Sequence, residues 1–216
     1  MQDPLKFAKQ ICYSSEETLQ FSYDMALKYK DVHGVYVECG CAAGAQVIAM
    51  ATAAPDKVIY AFDSFEGIPL PSNRDDQMPG IRPLKEWEQK ALPDAGKQVL
   101  ESSGATVVPL SNFTENLEIA GVNDLKIIIV PGWFEQTVEP FAAIIENIAI
   151  LRLDGDLYHS TWVCLQYLFP KVNKGGCVII DDWQLKGCQD ACKEYFELIG
   201  YEPEYKFISD IAYFFK

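Results

Sequence analysis

Residues 34–44 read GVYVECGCAAG, a short apolar run that ends in a turn containing two glycines. Runs of the same kind recur along the chain: VIYAFD (58–63), IIIV (127–130), IAILRLD (148–154) and CVIIDD (177–182). Runs this short and this rich in β-branched residues are typical of strands buried on both faces of a parallel sheet. The tail predicts two further strands, EYKFIS (204–209) and IAYFFK (211–216).

Helix-compatible stretches separate these runs. They cover about 16–29, 42–53, 111–120, 135–146, 160–169 and 188–199. Regular alternation of strands and helices predicts an α/β fold, with a doubly wound, mostly parallel sheet and helices on both faces. Counting the tail, the sheet has seven strands and is Rossmann-like.

The length of 216 residues fits one domain, 1–216. Its first part, about 1–33, is predicted to be a short helical segment. Residues 66–94 interrupt the alternation of strands and helices, because they contain five prolines and their apolar residues do not recur at a helical or strand period. A long irregular stretch inside a domain usually marks a lid or a binding loop, so we expect a lid-like insertion there.

Charge and composition exclude several function classes. Eighteen Lys and Arg against 31 Asp and Glu give a net charge of −13, which disfavours nucleic acid and anionic membrane surfaces as partners. No apolar stretch approaches the roughly 18 residues of a membrane span, and the opening residues do not form a secretory signal. The seven scattered cysteines indicate reduced thiols in the cytoplasm rather than a disulfide framework.

Acidic residues end four of the five central runs, at Glu38, Asp63, Asp154 and Asp181-Asp182. In open α/β sheets the ligand crevice lies beyond the carboxyl ends of the strands. Gly40 and Gly44 permit a tight turn there, and Asp63 follows at the distance where an acid meets ribose hydroxyls in nucleotide-binding folds. Glu38 suits the cationic end of a sulfonium cofactor better than a pyrophosphate. A GxxxG turn by itself does not distinguish a cofactor site from a tight turn whose glycines serve only close packing.

Asp154, Asp181 and Asp182 are predicted to converge. Three carboxylates at neighbouring strand ends repel one another, and a hard divalent cation such as Mg²⁺ relieves that repulsion. The alternative is that these acids cap the helices that follow them. Because three acids converge, a metal site is favoured over helix caps.

Other polar and aromatic residues carry weaker signals. His159 follows Asp154 on the same loop, and a partly exposed loop histidine is as good an interpretation as a site residue. Trp133 follows the third strand and is interpreted either as bordering a purine ring or as a core residue. The run Asn73-Arg74-Asp75-Asp76 is interpreted as a solvated loop.

Five segments together resemble the macrocin O-methyltransferase family: GVYVECGCAAG, YAFDSFEGIP, VPGWFEQTVEPF, LRLDGDLYHSTW and GGCVIIDDWQLKGCQDA. The resemblance runs from about Glu16 to the C-terminus. It implies a class I, S-adenosylmethionine- and Mg²⁺-dependent O-methyltransferase fold, whose last strand is antiparallel. Enzymes of this kind methylate sugar hydroxyls on natural products, so the implied acceptor is a small molecule.

The resemblance also implies roles for individual residues. The turn with Glu38, Gly40 and Gly44 would hold the methionine part of S-adenosylmethionine, and Gln46 stands where the family has a serine. Asp63 would bind the ribose, and Ser64 and Trp133 would complete the cofactor contacts. Asp154, Asp181 and Asp182 would hold Mg²⁺, with Mn²⁺ as a substitute. The general base should be a carboxylate within hydrogen-bond reach of the acceptor hydroxyl, and we expect it to be Asp154 or Asp156. A homodimer is compatible with the resemblance.

Two other function classes compete with methyl transfer. One is a nucleotide-binding oxidoreductase of Rossmann type, which the absence of GxGxxG and the presence of three clustered acids disfavour. The other is a non-catalytic domain with a degenerate form of the same fold. Loss of any one of the three acids would favour that interpretation, and all three are present.

Overall fold

The computed structural model describes residues 3–76, 81, 99–122 and 124–216. The strands are β1 (Val35–Cys39), β2 (Ile59–Asp63), β3 (Pro69–Leu70), β4 (Val99–Ser102), β5 (Ile127–Pro131), β6 (Ile148–Leu153), β7 (Val172–Ile180), β8 (Lys206–Ile208) and β9 (Ile211–Phe215). The helices are α1 (Pro4–Ile11), α2 (Glu16–Tyr29), α3 (Ala45–Ala53), α4 (Leu110–Ala120), α5 (Phe134–Ala142), α6 (Tyr158–Leu168) and α7 (Lys186–Ile199).

Seven strands form one sheet in the order β5-β2-β1-β6-β7-β9-β8. The pairs from β5 to β7 are parallel, and β9 runs antiparallel to both β7 and β8. This confirms the predicted doubly wound, mostly parallel sheet with an antiparallel last strand. Chain order reverses between β1 and β6, so the carboxyl ends of these two strands flank the point where ligands bind in such folds.

Each face of the sheet has its own hydrophobic core. One core joins the sheet to α1, α2, α3 and α4, and includes Leu19, Ile48 and Phe113. The other joins it to α5, α6 and α7, and includes Leu165 and Phe196. Helices therefore cover both faces, as predicted. Among the described residues, no helix has the length and apolar character that crossing a bilayer requires.

Helix α1 is a feature that the sequence analysis did not separate from the rest of the N-terminal segment. Its local signals are present: Asp3 accepts hydrogen bonds from the backbone of Leu5 and Lys6, and Pro4 occupies the first turn. Phe7 and Ala8 are buried, and the helix packs against α3 and α4. With eight residues, the helix depends on that packing for its stability.

The predicted insertion at about 66–94 lies partly outside the described residues, because 77–80 and 82–98 are not among them. Its described beginning forms β3, which pairs antiparallel with β4. This small two-stranded sheet lies outside the main sheet.

Candidate functional site

A cleft of about 340 Å³ lies at the carboxyl edge of the sheet. Residues that follow β1, β2, β5, β6 and β7 line it, together with the segment between α1 and α2. The described lining contains seven carboxylates and no lysine, arginine or histidine; the acids are Asp63, Glu135, Asp154, Asp156, Asp181, Asp182 and Asp210. A cleft with this charge favours cationic ligands.

The glycine turn after β1 joins the ends of two strands. Gly40 has a φ of +92°, and a Cβ atom at this position would lie 1.8 Å from the carbonyl oxygen of Asp154. The backbone N–H of Asp154 in turn donates to the carbonyl of Cys39 at 2.8 Å. Only glycine permits this approach, which places Asp154 beside the turn. Gly44, with a φ of +89°, precedes the first residue of α3.

Asp63, at the end of β2, shapes the same turn. Its Oδ2 accepts hydrogen bonds from the backbone N–H groups of Cys41 and Ala42, both at 2.8 Å. Its Oδ1 accepts from the N–H of Phe65 at 2.6 Å. The carboxylate therefore fixes the turn and also faces the cleft. The sequence predicted the second role and did not reveal the first.

Arg152 is the functional residue that the sequence analysis missed. It is fully buried in β6, and its guanidinium donates to Glu38 Oε1 at 3.0 Å, Asp154 Oδ2 at 2.8 Å and Asp181 Oδ1 at 2.5 Å. An arginine inside the otherwise apolar run IAILRLD is the signal that could have revealed it. A buried charge requires partners, and the nearest acids belong to the predicted site.

Burial of these carboxylates raises their pKa values. Burial is the main cause that raises the pKa of Glu38 to about 7, against the opposing effect of Arg152. The pKa of Asp156 also rises to about 7, from burial and then from the negative charges of Asp154 and Asp181. The pKa values of Asp154 and Asp182 lie well above the usual range, again mainly because of burial.

Asp154, Asp156 and Asp182 each offer a carboxylate oxygen, and these atoms lie within 4.8 Å of one another. The backbone N–H of Asp156 donates to Asp182 Oδ2 at 2.8 Å, which joins the loops after β6 and β7. Asp156 has a left-handed φ of +58°, a strained conformation for a residue other than glycine. Three oxygen donors at this spacing match the requirements of a hard divalent cation.

Asp181 lies in the same cleft, but its side chain has other partners. Its Oδ1 accepts from Arg152, and its Oδ2 accepts from the Ser14 hydroxyl at 3.2 Å. The three-carboxylate group therefore contains Asp156 where the sequence interpretation placed Asp181. Direct metal binding by Asp181 stays a prediction.

The predicted site residues separate into two sets. Those that line the described cleft are Gly40, Asp63, Ser64, Trp133, Asp154, Asp156, Asp181 and Asp182. Glu38, Gly44 and Gln46 are buried and are not in that lining, so their contact with a cofactor stays a prediction. His159 is also absent from the lining, and burial lowers its pKa.

Several residues of the cleft gave no signal in the sequence. Tyr13, Ser14 and Ser15 come from the segment between α1 and α2, which only the packing of those helices brings to the site. Glu135, two residues after Trp133, has a buried Oε1 with no hydrogen-bond partner among the described residues. An unpartnered acceptor in a cleft wall suits a ligand that donates a hydrogen bond.

We expect the metal-free protein to lose stability as the pH rises from about 5 to about 7.5. Glu38 and Asp156 bind protons in the folded state up to a pKa of about 7, whereas in the unfolded chain they release them near their usual values. Over that window the folded state holds more protons, so the free energy of unfolding falls with rising pH. Urea denaturation in EDTA at several pH values measures this slope.

The variant Asp156→Asn should reduce this pH dependence, because it removes one of the carboxylates whose pKa is raised. Asp56→Asn, which removes an exposed carboxylate, is the matched control and should keep the wild-type slope. Equal slopes for wild type and Asp156→Asn would contradict the assignment of a raised pKa to Asp156.

Residues 18–216 match the protein family described as Macrocin-O-methyltransferase (TylF). This match covers all of the strands and most of the helices. It also includes every residue of the three-carboxylate group.

Two curated relatives are O-methyltransferases. The 8-demethyl-8-(2,3-dimethoxy-alpha-L-rhamnosyl)-tetracenomycin-C 4'-O-methyltransferase of Streptomyces olivaceus is 34% identical over 137 residues, which are 63% of this chain and 46% of that protein. The demethyldecarbamoylnovobiocin O-methyltransferase of Streptomyces niveus is 33% identical over 171 residues, 76% of this chain and 59% of that protein. The chain thus spans about half the length of the curated relatives it matches.

A solved structure has the same fold. The O-methyltransferase NovP superposes with a TM-score of 0.74 at 28% sequence identity. The superposition covers 94% of this chain and 80% of that chain.

Proposed function

This chain belongs to the macrocin-O-methyltransferase family, and we propose that it transfers a methyl group from S-adenosylmethionine to a hydroxyl group of a small sugar-containing natural product, with Mg²⁺ at the site. The family match confirms the resemblance inferred from the sequence motifs. It also favours methyl transfer over the oxidoreductase alternative. A reducing cytoplasmic setting and a homodimer stay predictions.

One observation supports the proposal most directly. The three-carboxylate group (Asp154, Asp156 and Asp182) and the Asp63-organised turn line the same acidic cleft. A methyl transfer to a hydroxyl needs both a cofactor site and a group that activates and orients the acceptor, close together. When bound, S-adenosylmethionine would supply the activated methyl group, and Mg²⁺ would acidify the acceptor hydroxyl.

Different residues of the chain would bind the cofactor and the metal. Asp63 and Ser64, at the end of β2, would form hydrogen bonds with the ribose hydroxyls. Gly40 leaves room for the cofactor at the turn. Asp154, Asp156 and Asp182 would hold the metal. Trp133 would border the adenine ring at the wall after β5.

Asp154 and Asp156 are the candidates for the proton acceptor. Both lie in the cleft, and a carboxylate within hydrogen-bond reach of the acceptor hydroxyl can take its proton. The family likeness extends to enzymes named for glycosylated natural products, which supports a sugar hydroxyl as the acceptor.

Calorimetry with S-adenosylhomocysteine tests the cofactor part of this proposal without any acceptor. We expect micromolar binding, about −8 kcal/mol, and no binding of NADH. Asp63→Asn should weaken binding by about 1.5–3 kcal/mol, because the amide offers one acceptor oxygen in place of two charged ones. Glu66→Gln, an exposed acid three residues away, is the control and should bind as the wild type does.

The methyl-transfer part is tested with a panel of glycosylated natural products and labelled S-adenosylmethionine. Product heavier by one methyl group, formed with Mg²⁺ and abolished by EDTA, is the expected outcome. Failure of the folded wild type to bind the cofactor, or full activity in EDTA, would overturn the proposal.

A further inference from the structure

The two helices that follow the acidic loops receive their N-terminal caps from elsewhere in the chain. Asp154 and Asp156 lie just before α6, and Asp182 lies just before α7. The residues in the cap positions are Leu157 and Leu185, neither of which has a side chain that can accept a hydrogen bond. The orphan N–H groups of both helices therefore need another partner.

Two consecutive carboxylates provide those partners. Asp75 Oδ1 accepts from the N–H of Tyr158, the first residue of α6, at 2.7 Å. Asp76 Oδ2 accepts from the N–H of Lys186, the first residue of α7, at 3.2 Å. The run interpreted as a solvated loop does have Asn73 and Asp76 exposed, but its two acids also bond to the helix starts. The structure also shows which acids cap the helices, since Asp182 instead accepts from the N–H of Asp156.

The segment that carries these acids is itself fixed. Asp75 Oδ2 accepts from both the N–H and the hydroxyl of Ser72, each at 2.8 Å, and Ser72 is buried. Gly187, in the first turn of α7, packs so closely that a Cβ there would lie 2.2 Å from Asp75 Oδ1. The carboxylate of Asp75 is therefore enclosed on the side of α7 as well as on the side of α6.

Tyr158 is held at three points. Besides the bond from its N–H to Asp75, its ring lies 3.9 Å beneath the guanidinium of Arg74. Its hydroxyl donates to Glu194 Oε2 at 2.8 Å, and Arg74 forms an ion pair with the same glutamate. Because Tyr158 is two residues after Asp156, these contacts restrain the loop that carries Asp154 and Asp156.

We propose that Ser72, Arg74, Asp75 and Asp76, here called the capping segment, position the three-carboxylate group by capping α6 and α7 together. The inference rests on the proposed function, since the group it positions is the proposed metal site. Its residues act through the helices and touch neither metal nor substrate, so they are positioning residues. The bond between Asp156 N–H and Asp182 couples the two loops, so release of either helix start displaces both.

Asp75→Ala is the principal test, with Asn73→Ala as the matched control. Asn73 lies in the same run but is exposed, and its side chain forms no hydrogen bond or ion pair with either helix among the described residues. Loss of a residue that orients metal ligands typically lowers metal affinity about 10–100-fold. We expect Asp75→Ala to weaken Mg²⁺ binding by about tenfold or more, measured by calorimetry well below the melting temperature. Asn73→Ala should bind as the wild type does.

A second readout separates positioning from ordinary stabilisation. A cap that only stabilises the fold lowers the melting temperature in EDTA and leaves the Mg²⁺ affinity of the folded protein unchanged. Positioning instead predicts weaker Mg²⁺ binding and a lower kcat with little change in the KM for S-adenosylmethionine. Asp75→Asn should recover much of the Mg²⁺ affinity and of kcat, because an asparagine oxygen can still accept a hydrogen bond from the N–H of Tyr158.

Asp76→Ala provides an independent measurement at α7, which also covers the case in which Asp75→Ala does not fold. Weaker Mg²⁺ binding in a folded Asp76→Ala or Asp75→Ala supports the proposal. Wild-type Mg²⁺ affinity in every folded variant overturns it. Absence of Mg²⁺ binding to the wild type would instead refute the proposed metal site, so the two failures are distinguishable.

Discussion

Replacing Arg152 with Met is expected to destabilise the folded protein by about 3–5 kcal/mol, the usual consequence of removing one partner from a buried ion-pair network. The guanidinium is fully buried and bonds to Glu38, Asp154 and Asp181. Without it, Glu38 is left at 1% exposure with no opposing charge. Urea denaturation at pH about 7.5 in EDTA, where the carboxylates are most ionised, measures the loss.

Two further variants identify the cause of that loss. The double variant Arg152→Met/Glu38→Gln should recover about 1–3 kcal/mol, because it removes the carboxylate left buried without a partner. Arg152→Lys keeps the positive charge but lacks the forked donors of the guanidinium. Its free energy of unfolding should therefore lie between those of the wild type and Arg152→Met. A stability of Arg152→Met within about 0.5 kcal/mol of the wild type would contradict a network centred on this arginine.

Adding Mg²⁺ at about 100 times its dissociation constant should stabilise the wild type by about 2.7 kcal/mol, because a ligand that binds only the folded state shifts the equilibrium by mass action. For a chain of this size that corresponds to a rise in melting temperature of about 5–10 °C. The metal would also relieve the repulsion among Asp154, Asp156 and Asp182, which adds to burial in raising their pKa values.

Asp182→Asn should abolish the Mg²⁺-dependent rise while leaving the metal-free protein at least as stable as the wild type. The asparagine oxygen can still accept from the N–H of Asp156, so the loops stay joined, and one buried charge is removed. Asp56→Asn, at an exposed position, should respond to Mg²⁺ as the wild type does. A wild type whose melting temperature does not change with Mg²⁺ would show that the carboxylates are structural.

The sheet and most of the site edge were predictable because they depend on local sequence. Buried parallel strands must be apolar and short, so the runs at 35–39 and 148–154 are visible without any structure. Parallel strands share one carboxyl edge, so acids such as Asp63 and Asp182 could be placed together from their positions after the runs. The starts of α6 and α7 lie before the predicted residues 160 and 188, because capping by distant groups is not encoded near the helix start.

The sequence by itself therefore determined the fold class, the edge of the sheet that carries the site, and the acidic residues available there. Only the tertiary structure decided which partner each acid has. Arg152 binds Glu38 and Asp181 across strands, Asp156 joins Asp154 and Asp182 in the three-carboxylate group, and Asp75 and Asp76 cap helices more than 80 residues away. The physical reason is the distance along the chain over which each interaction acts. Strand and helix patterns arise from residues that are close in sequence. Hydrogen bonds and ion pairs between buried side chains depend instead on packing that brings distant segments together.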